Sequence, residues 1–337
     1  MRRVIRYLAL GLVGVIAVVL LAGAAYEWNG RRAAARDFPP RGRLVDIGGR
    51  RIQLDCRGVG SPTVVFESGL DMDGSLAWAT VHDSIAKTTR ACAYSRAGIM
   101  WSDPRPGPQR SALVAEDLHA ALHAAGESPP LVLVGHSLGG PYVVAYTRHY
   151  GADVAGLVFV DASHPDQVAR FREVTSVNVQ QALRGYSVLS QFGWSGLVRA
   201  LASSTDSEPN VPKDVTRAKL AYAPTSLPAM LNEANGLDSV LADGASFRQL
   251  GDRPLFVLTA GAPVSPAELS ALHMTAAQGR RRSEIWNTMQ DEEAAWSSRS
   301  QHVAVPDAKH YIQFDRPDVV IAAVRSVVDS VRARRVP

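Results

Sequence analysis

The 337-residue chain is 46% hydrophobic and 20% charged, enough apolar side chain for a sizeable core and too little charge for an intrinsically disordered chain. Six arginines and one glutamate in the first 36 residues account for the formal net charge of +4, so the remainder is close to neutral. That excludes the basic footprint of a nucleic-acid-binding domain and assigns the basic flank to a membrane surface.

From Tyr7 to Ala25 nineteen residues carry no charge, and at about 1.5 Å rise per residue a helix of that length spans a ~30 Å hydrocarbon core. The run exceeds the ~7–15 residues of a signal-peptide core, so it predicts an uncleaved anchor over residues 1–25. Ala22-Gly23-Ala24 keeps cleavage, and a secreted product, as the alternative. Three arginines on each side nearly balance the positive-inside rule. The α-amino group tips it toward an N-terminus inside and a following domain outside the cytoplasm. Residues 26–43 mix arginine, alanine and Pro39-Pro40 and read as an exposed linker.

Short apolar runs then recur between helical patterns: RLVDI from Arg43, RIQLDC from Arg51, TVVFES from Thr63, ACAYS from Ala91, LVLVGHS from Leu131, VAGLVFVD from Val154, PLFVLTAG from Pro254 and HVAVP from His302. Gly48-Gly49 joins the first two as an antiparallel hairpin. The later runs are apolar throughout, as strands buried on both faces of a parallel sheet must be. With helical patterns such as Ser111 to Ala125 and Leu138 to Tyr150 between them, the class is α/β. Residues 165–253 contain no buried strand pattern but helical stretches interrupted by Pro209, Pro212, Pro224 and Pro228, which predicts a helical cap. Residues 44–164 and 254–337 form the core.

Gly135-His136-Ser137-Leu138-Gly139 fits G-x-S-x-G, the strained turn that lifts a serine hydroxyl off a sheet, and it stands between a buried-strand run and a helical pattern, as that motif requires. A serine hydroxyl needs a base, and His310 follows the last strand and precedes the last helix, where the chain order of serine, acid and histidine places it. His136 reads as packing inside the turn, and His119 and His123 as one helix face, since H-E-x-x-H is absent. Arg280-Arg281-Arg282 and the tail Arg332, Arg334 and Arg335 read as solvated charge with no assigned role.

On these motifs the chain resembles the α/β-hydrolase superfamily, in the lipase, esterase and haloperoxidase-like branch with a cap after strand six, over roughly Leu44 to Val331. The resemblance implies a mostly parallel central sheet with flanking helices and an oxyanion hole from the Leu70 and Leu138 amides. Ser68-Gly69-Leu70 stands where relatives carry H-G-x, and Tyr94-Ser95-Arg96-Ala97-Gly98-Ile99-Met100-Trp101-Ser102 answers to Y-D-R-x-G-x-G-x-S, with Ser95 and Met100 as departures. Asp161 is the expected acid, at a position some relatives use. Glu268 is the rival and Asp307 a turn residue. In the family's strand order Cys56 faces Cys92, which implies a disulfide, with two buried free thiols as the alternative.

The function so implied is a serine hydrolase that cleaves carboxylesters or lipids through an acyl-enzyme, because a capped, apolar site beside a membrane favours them. Its partners are a small acyl substrate and the membrane. No nucleic acid, metal or organic cofactor is implied. Serine at position 137 disfavours the dehalogenase and epoxide-hydrolase chemistries, which use aspartate there. Peptidase, perhydrolase and carbon–carbon hydrolase chemistry, and a membrane-tethered binding module without catalysis, remain open.

Overall fold

Val64 and Phe66 point to one side of their strand and Val65 to the other, and the same alternation separates Val132 and Val134 from Leu131 and Leu133, and Val158 and Val160 from Leu157 and Phe159. With both sets apolar, each strand needs a covering layer on both faces. The computed structural model, which describes residues 2–175, 183–203 and 210–334, supplies them. Eight strands, β1 (Arg43–Asp46), β2 (Arg51–Arg57), β3 (Thr63–Glu67), β4 (Ala91–Ser95), β5 (Leu131–His136), β6 (Val154–Val160), β7 (Leu255–Ala260) and β8 (Ser300–Val305), form one sheet in the order β1-β2-β4-β3-β5-β6-β7-β8. β1 pairs with β2, and β2 with β4, antiparallel; the other pairs are parallel. β8 departs from the all-apolar expectation because it is an edge strand, and most of its residues are exposed.

The described helices are α1 (Arg2–Asp37), α2 (His82–Ala86), α3 (Ser111–Ala125), α4 (Gly139–His149), α5 (Gln167–Phe171), α6 (Arg184–Ser190), α7 (Leu197–Ala202), α8 (Lys213–Asn235), α9 (Leu237–Ala245), α10 (Pro266–Ala271), α11 (Ala276–Ala294), α12 (Ile312–Asp315) and α13 (Pro317–Ala333). Leu118 and Leu122 of α3 and Val143 and Tyr146 of α4 cover one face of the sheet. Val320, Val324 and Val327 of α13, with Ile85 of α2, cover the other. α3 spans the predicted range and stops at Gly126, whose φ of +77° a side chain would strain.

Cys56 and Cys92 are register partners on antiparallel β2 and β4 and are joined by a disulfide. This resolves the alternative of free thiols.

α1 is long and apolar enough to cross a membrane, and its apolar stretch is exposed. It does not end where the run ends: residues 26–37, expected as linker, continue the helix. Glu27 is buried and accepts bonds from Arg31 and from Arg199 on α7, so the helix is fastened to the domain before the extended residues at Pro39 and Pro40 begin.

The cap segment corrects the sequence reading in one respect. Pro212 caps α8, but Pro224 and Pro228 lie inside that helix instead of interrupting it. Each removes one intrahelical donor. Packing of Ala223, Leu227 and Leu231 against Val198 holds the helix nonetheless, and the Ala221 carbonyl accepts from Arg199. Pro209 lies outside the described residues, as does Arg335.

Candidate active site

The glycines of G-x-S-x-G have distinct steric tasks. A Cβ on Gly135 would lie 2.6 Å from the Gly139 carbonyl oxygen, and one on Gly139 would lie 2.5 Å from the Glu67 carbonyl oxygen. Without side chains at both positions the chain can reverse tightly from β5 into α4. Ser137 sits at the apex with φ +52°, a left-handed conformation that costs a non-glycine residue about 1–3 kcal/mol and persists only where the surroundings enforce it.

Loops at the carboxyl ends of the parallel strands bring three predicted residues together. His310 Nε2 is 2.9 Å from Ser137 Oγ, and His310 Nδ1 is 2.6 Å from Asp161 Oδ2. Asp161, directly after β6, is buried and also has positive φ, +46°. Its Oδ1 accepts from the Ala260 amide at 2.9 Å and from Trp286 Nε1 at 2.7 Å. Glu268, the rival acid, is not bonded to His310. It closes a capping box with Ser265 at the start of α10, and although burial opposes ionisation, the Ser265 bonds and the nearby Lys309 and Arg282 hold its carboxyl below the usual range. Asp307 pairs with Arg316, in keeping with a turn role.

His136 packs within the turn and has a task there. Its Nε2 lies 2.9 Å from the His310 carbonyl, and burial together with the neighbouring His310 ring pushes it well below the usual imidazole range, so it is neutral and donates that bond. The loop carrying His310 is thereby tied to the serine turn. His119 stacks on Tyr150 at 3.9 Å on the face of α3 that meets α4.

The loop after β3 passes beside the serine: a Cβ on Gly69 would lie 3.0 Å from Ser137 Cβ. Among the described residues neither the Leu70 nor the Leu138 amide is bonded to an acceptor. Unbonded amides of this kind are what a developing oxyanion requires. The departures from the family pattern are absorbed beneath this loop. Arg96 bonds Glu67, the Ser68 and Gly69 carbonyls, and both carboxylate oxygens of Glu233 on α8, all within the buried interior. Tyr94 donates to Glu67 as well. Ser95 links Gln53 to the Ser75 amide, and the Met100 amide donates to Ser226 of α8. Burial and the adjacent Asp73 push the Asp71 carboxyl up to about 8.

A cavity of about 340 Å³ opens on Ser137, Asp161 and His310. The cap contributes Gln167 and Phe171, but Val264, Glu268, Arg282, Ser283, Trp286 and Asn287 come from the excursion between β7 and β8. The predicted cap is therefore only part of the roof. The expected apolar lining is also corrected, since Arg282, Lys309 and Glu268 face this space. The sequence pattern predicts solvated charge at Arg282; instead its guanidinium lies 4.7 Å from the Phe171 ring centroid, and among the described residues it has no hydrogen-bond or ion-pair partner. No spacing in the sequence points to Trp286 or Arg282, because α11 joins them to the site only through tertiary packing.

His164, Asp166 and Glu292 also come together, with ligand atoms within 4.8 Å of one another. Their carboxylates are engaged by Arg170 and Arg248, which makes the group an ion-pair cluster.

Residues 62–189 match the family model described as alpha/beta hydrolase fold. A thermophilic esterase from Thermogutta terrifontis superposes with a TM-score of 0.60 at 20% identity, covering 86% of this chain and 98% of that one. The chain has the α/β-hydrolase fold. An epoxide hydrolase from Bacillus megaterium superposes with a TM-score of 0.61 at 16% identity, covering 85% of this chain and all of that one. In sequence, protein YbdG of Bacillus subtilis (strain 168) is 21% identical over 193 residues, 57% of this chain. The chain spans 59% of that protein's length and less than a fifth of two other curated relatives it matches. Within the α/β-hydrolase fold, position 137, at the turn after β5, holds serine.

Proposed function

We propose that this α/β-hydrolase-fold protein is a serine carboxylester hydrolase, anchored to a membrane by α1. The observation that carries the reading is the relay from Asp161 through His310 to Ser137, at 2.6 and 2.9 Å, with the serine held at positive φ. Ser137 Oγ would attack the ester carbonyl carbon while His310 Nε2 takes the hydroxyl proton. The tetrahedral oxyanion would lie against the Leu70 and Leu138 amides. Its collapse breaks the carbonyl–oxygen bond of the ester, and the alcohol leaves with the proton from His310. Water, deprotonated by His310, then attacks the acyl-serine and releases the carboxylic acid and the free serine. Asp161 holds the ring and stabilises its cationic form, and the Trp286 and Ala260 donors fix the carboxylate.

The cavity's size and its charged lining favour a short acyl or alkyl group bearing a polar or anionic substituent over a long hydrocarbon chain. A fluorophosphonate probe tests the chemistry directly. The folded protein should take up one equivalent, and Ser137→Ala none; a folded wild type that takes up no label overturns the reading and leaves a binding module.

A further inference from the structure

Beyond α1, Val59 and Val303, the large apolar side chains left exposed among the described residues are Tyr186, Val188, Phe192, Trp194, Leu197 and Leu201, each between 45% and 64% exposed. All stand on α6, the turn Gly193–Ser195 with its flanking Phe192, and α7. Leu189 and Val198 of the same segment face inward onto Ala223, Leu227 and Leu231 of α8. The segment is thus apolar on its outer side as well as its inner one, whereas a helix on a water-facing surface is apolar on one side.

Two observations identify what covers the outer face. The first is its place beside α1. A Cβ on Gly196 would lie 2.6 Å from a Tyr26 ring carbon and 3.1 Å from the Gly23 carbonyl oxygen, and Gly23 has no room for a side chain against the Ser195 carbonyl. Arg199 and Arg31 both bond Glu27, which fixes the register of α7 against α1. Gly23 lies two residues, about 3 Å of helix, before the end of the uncharged run, so the turn at Ser195 and Gly196 stands level with the point where α1 would leave hydrocarbon. The second is chemistry. Tyr26, Trp28, Tyr186 and Trp194 are residue types that settle at a membrane–water interface, and on α1 Arg31 and Arg36 pair with Glu27 and Asp37 while Arg32 lies over the Trp28 ring, a cation placed for anionic headgroups.

We infer that Tyr186, Val188, Phe192, Trp194, Leu197 and Leu201 form a lipid-docking face that seats the cap in the bilayer α1 crosses. The inference rests on α1 being a span, and its test separates the two. The full chain, its native cysteines held in the disulfide, is reconstituted into phosphatidylcholine–phosphatidylglycerol vesicles with a single nitroxide at Val15→Cys, Leu201→Cys or Val59→Cys; Val59 precedes β3, at the opposite end of the strands from the active-site loops. Labels at 15 and 201 should be more accessible to oxygen than to a water-soluble nickel chelate, and the label at 59 the reverse. If 15 reads lipid while 201 reads water, the docking face is overturned and the span stands. If 201 is shielded from both reagents, a protein partner or second copy covers the face and the inference also falls. If 15 reads water, the span fails and the docking face with it. In a triple variant, Trp194→Ser, Leu197→Ser and Leu201→Ser, a label at Phe192→Cys should change from lipid to water while the label at 15 does not; a lipid reading retained at 192 counts against the face.

Discussion

The indole Nε1 of Trp286 donates to Asp161 Oδ1 at 2.7 Å, while the other oxygen of that carboxylate lies 2.6 Å from His310 Nδ1. A helix inserted between β7 and β8 therefore orients the acid at the end of β6. Asp161→Asn should lower kcat by about 10⁴-fold with the fold retained, because the amide cannot stabilise the charged imidazole. Trp286→Phe keeps an aromatic ring, smaller than the indole, and deletes one donor, so kcat should fall only about tenfold, the equivalent of one charge-assisted hydrogen bond. Steady-state kinetics on a chromogenic ester, with circular dichroism for the fold, checks both; equal losses would mean that Trp286 acts through packing.

Arg96 carries the loop beside the serine on a buried bridge between Glu67 and Glu233. Arg96→Met leaves two buried carboxylates without a cation and should cost about 3–5 kcal/mol, read as a lower urea midpoint. Arg96→Lys should not restore it, since an ammonium cannot span two carboxylates and two carbonyls as the planar guanidinium does.

Arg282, without a hydrogen-bond or ion-pair partner among the described residues, presents its guanidinium to the cavity. Arg282→Gln should reduce the ratio of kcat/KM for a p-nitrophenyl hydrogen glutarate over p-nitrophenyl pentanoate by about tenfold, the value of one partly buried charge-assisted contact. An unchanged ratio would assign Arg282 to bracing Phe171.

The Cys56–Cys92 disulfide closes a loop of 36 residues in sequence separation, for which the chain-entropy relation gives about 3–4 kcal/mol. Reduction should lower the denaturation midpoint accordingly, and a Cys56→Ser, Cys92→Ser variant should match the reduced protein and be insensitive to reductant.

Burial holds the His164 ring down at about 4, against the attraction of Asp166 and Glu292. The folded chain then binds fewer protons than the unfolded one below the ordinary imidazole value of about 6.5. His164's contribution, of the order of 3 kcal/mol, is present above about pH 6.5 and is lost as pH falls through about 4. His82 and His136 are depressed by burial in the same direction. Asp71, held up at about 8, contributes the opposite slope, so the measurement is a difference: in urea denaturation between pH 4 and 7 the stability of the wild type minus that of His164→Asn should rise with pH.

Strand content, the hairpin at Gly48-Gly49, the serine turn and the helix over Ser111–Ala125 were legible in the sequence because each depends on local causes: alternating or continuous apolar runs, turn glycines and a motif with its flanks. The resemblance supplied the strand order that sets Cys56 opposite Cys92. Tertiary structure decided between Asp161 and Glu268 as the residue beside His310, since both fall between serine and histidine in the chain and only packing brings one ring to one carboxylate. It also carried α8 through Pro224 and Pro228, extended α1 past the apolar run onto α7, and placed Trp286 and Arg282 at the cavity. These are contacts between segments distant in the chain, and residue spacing encodes the segments but not which of their faces meet.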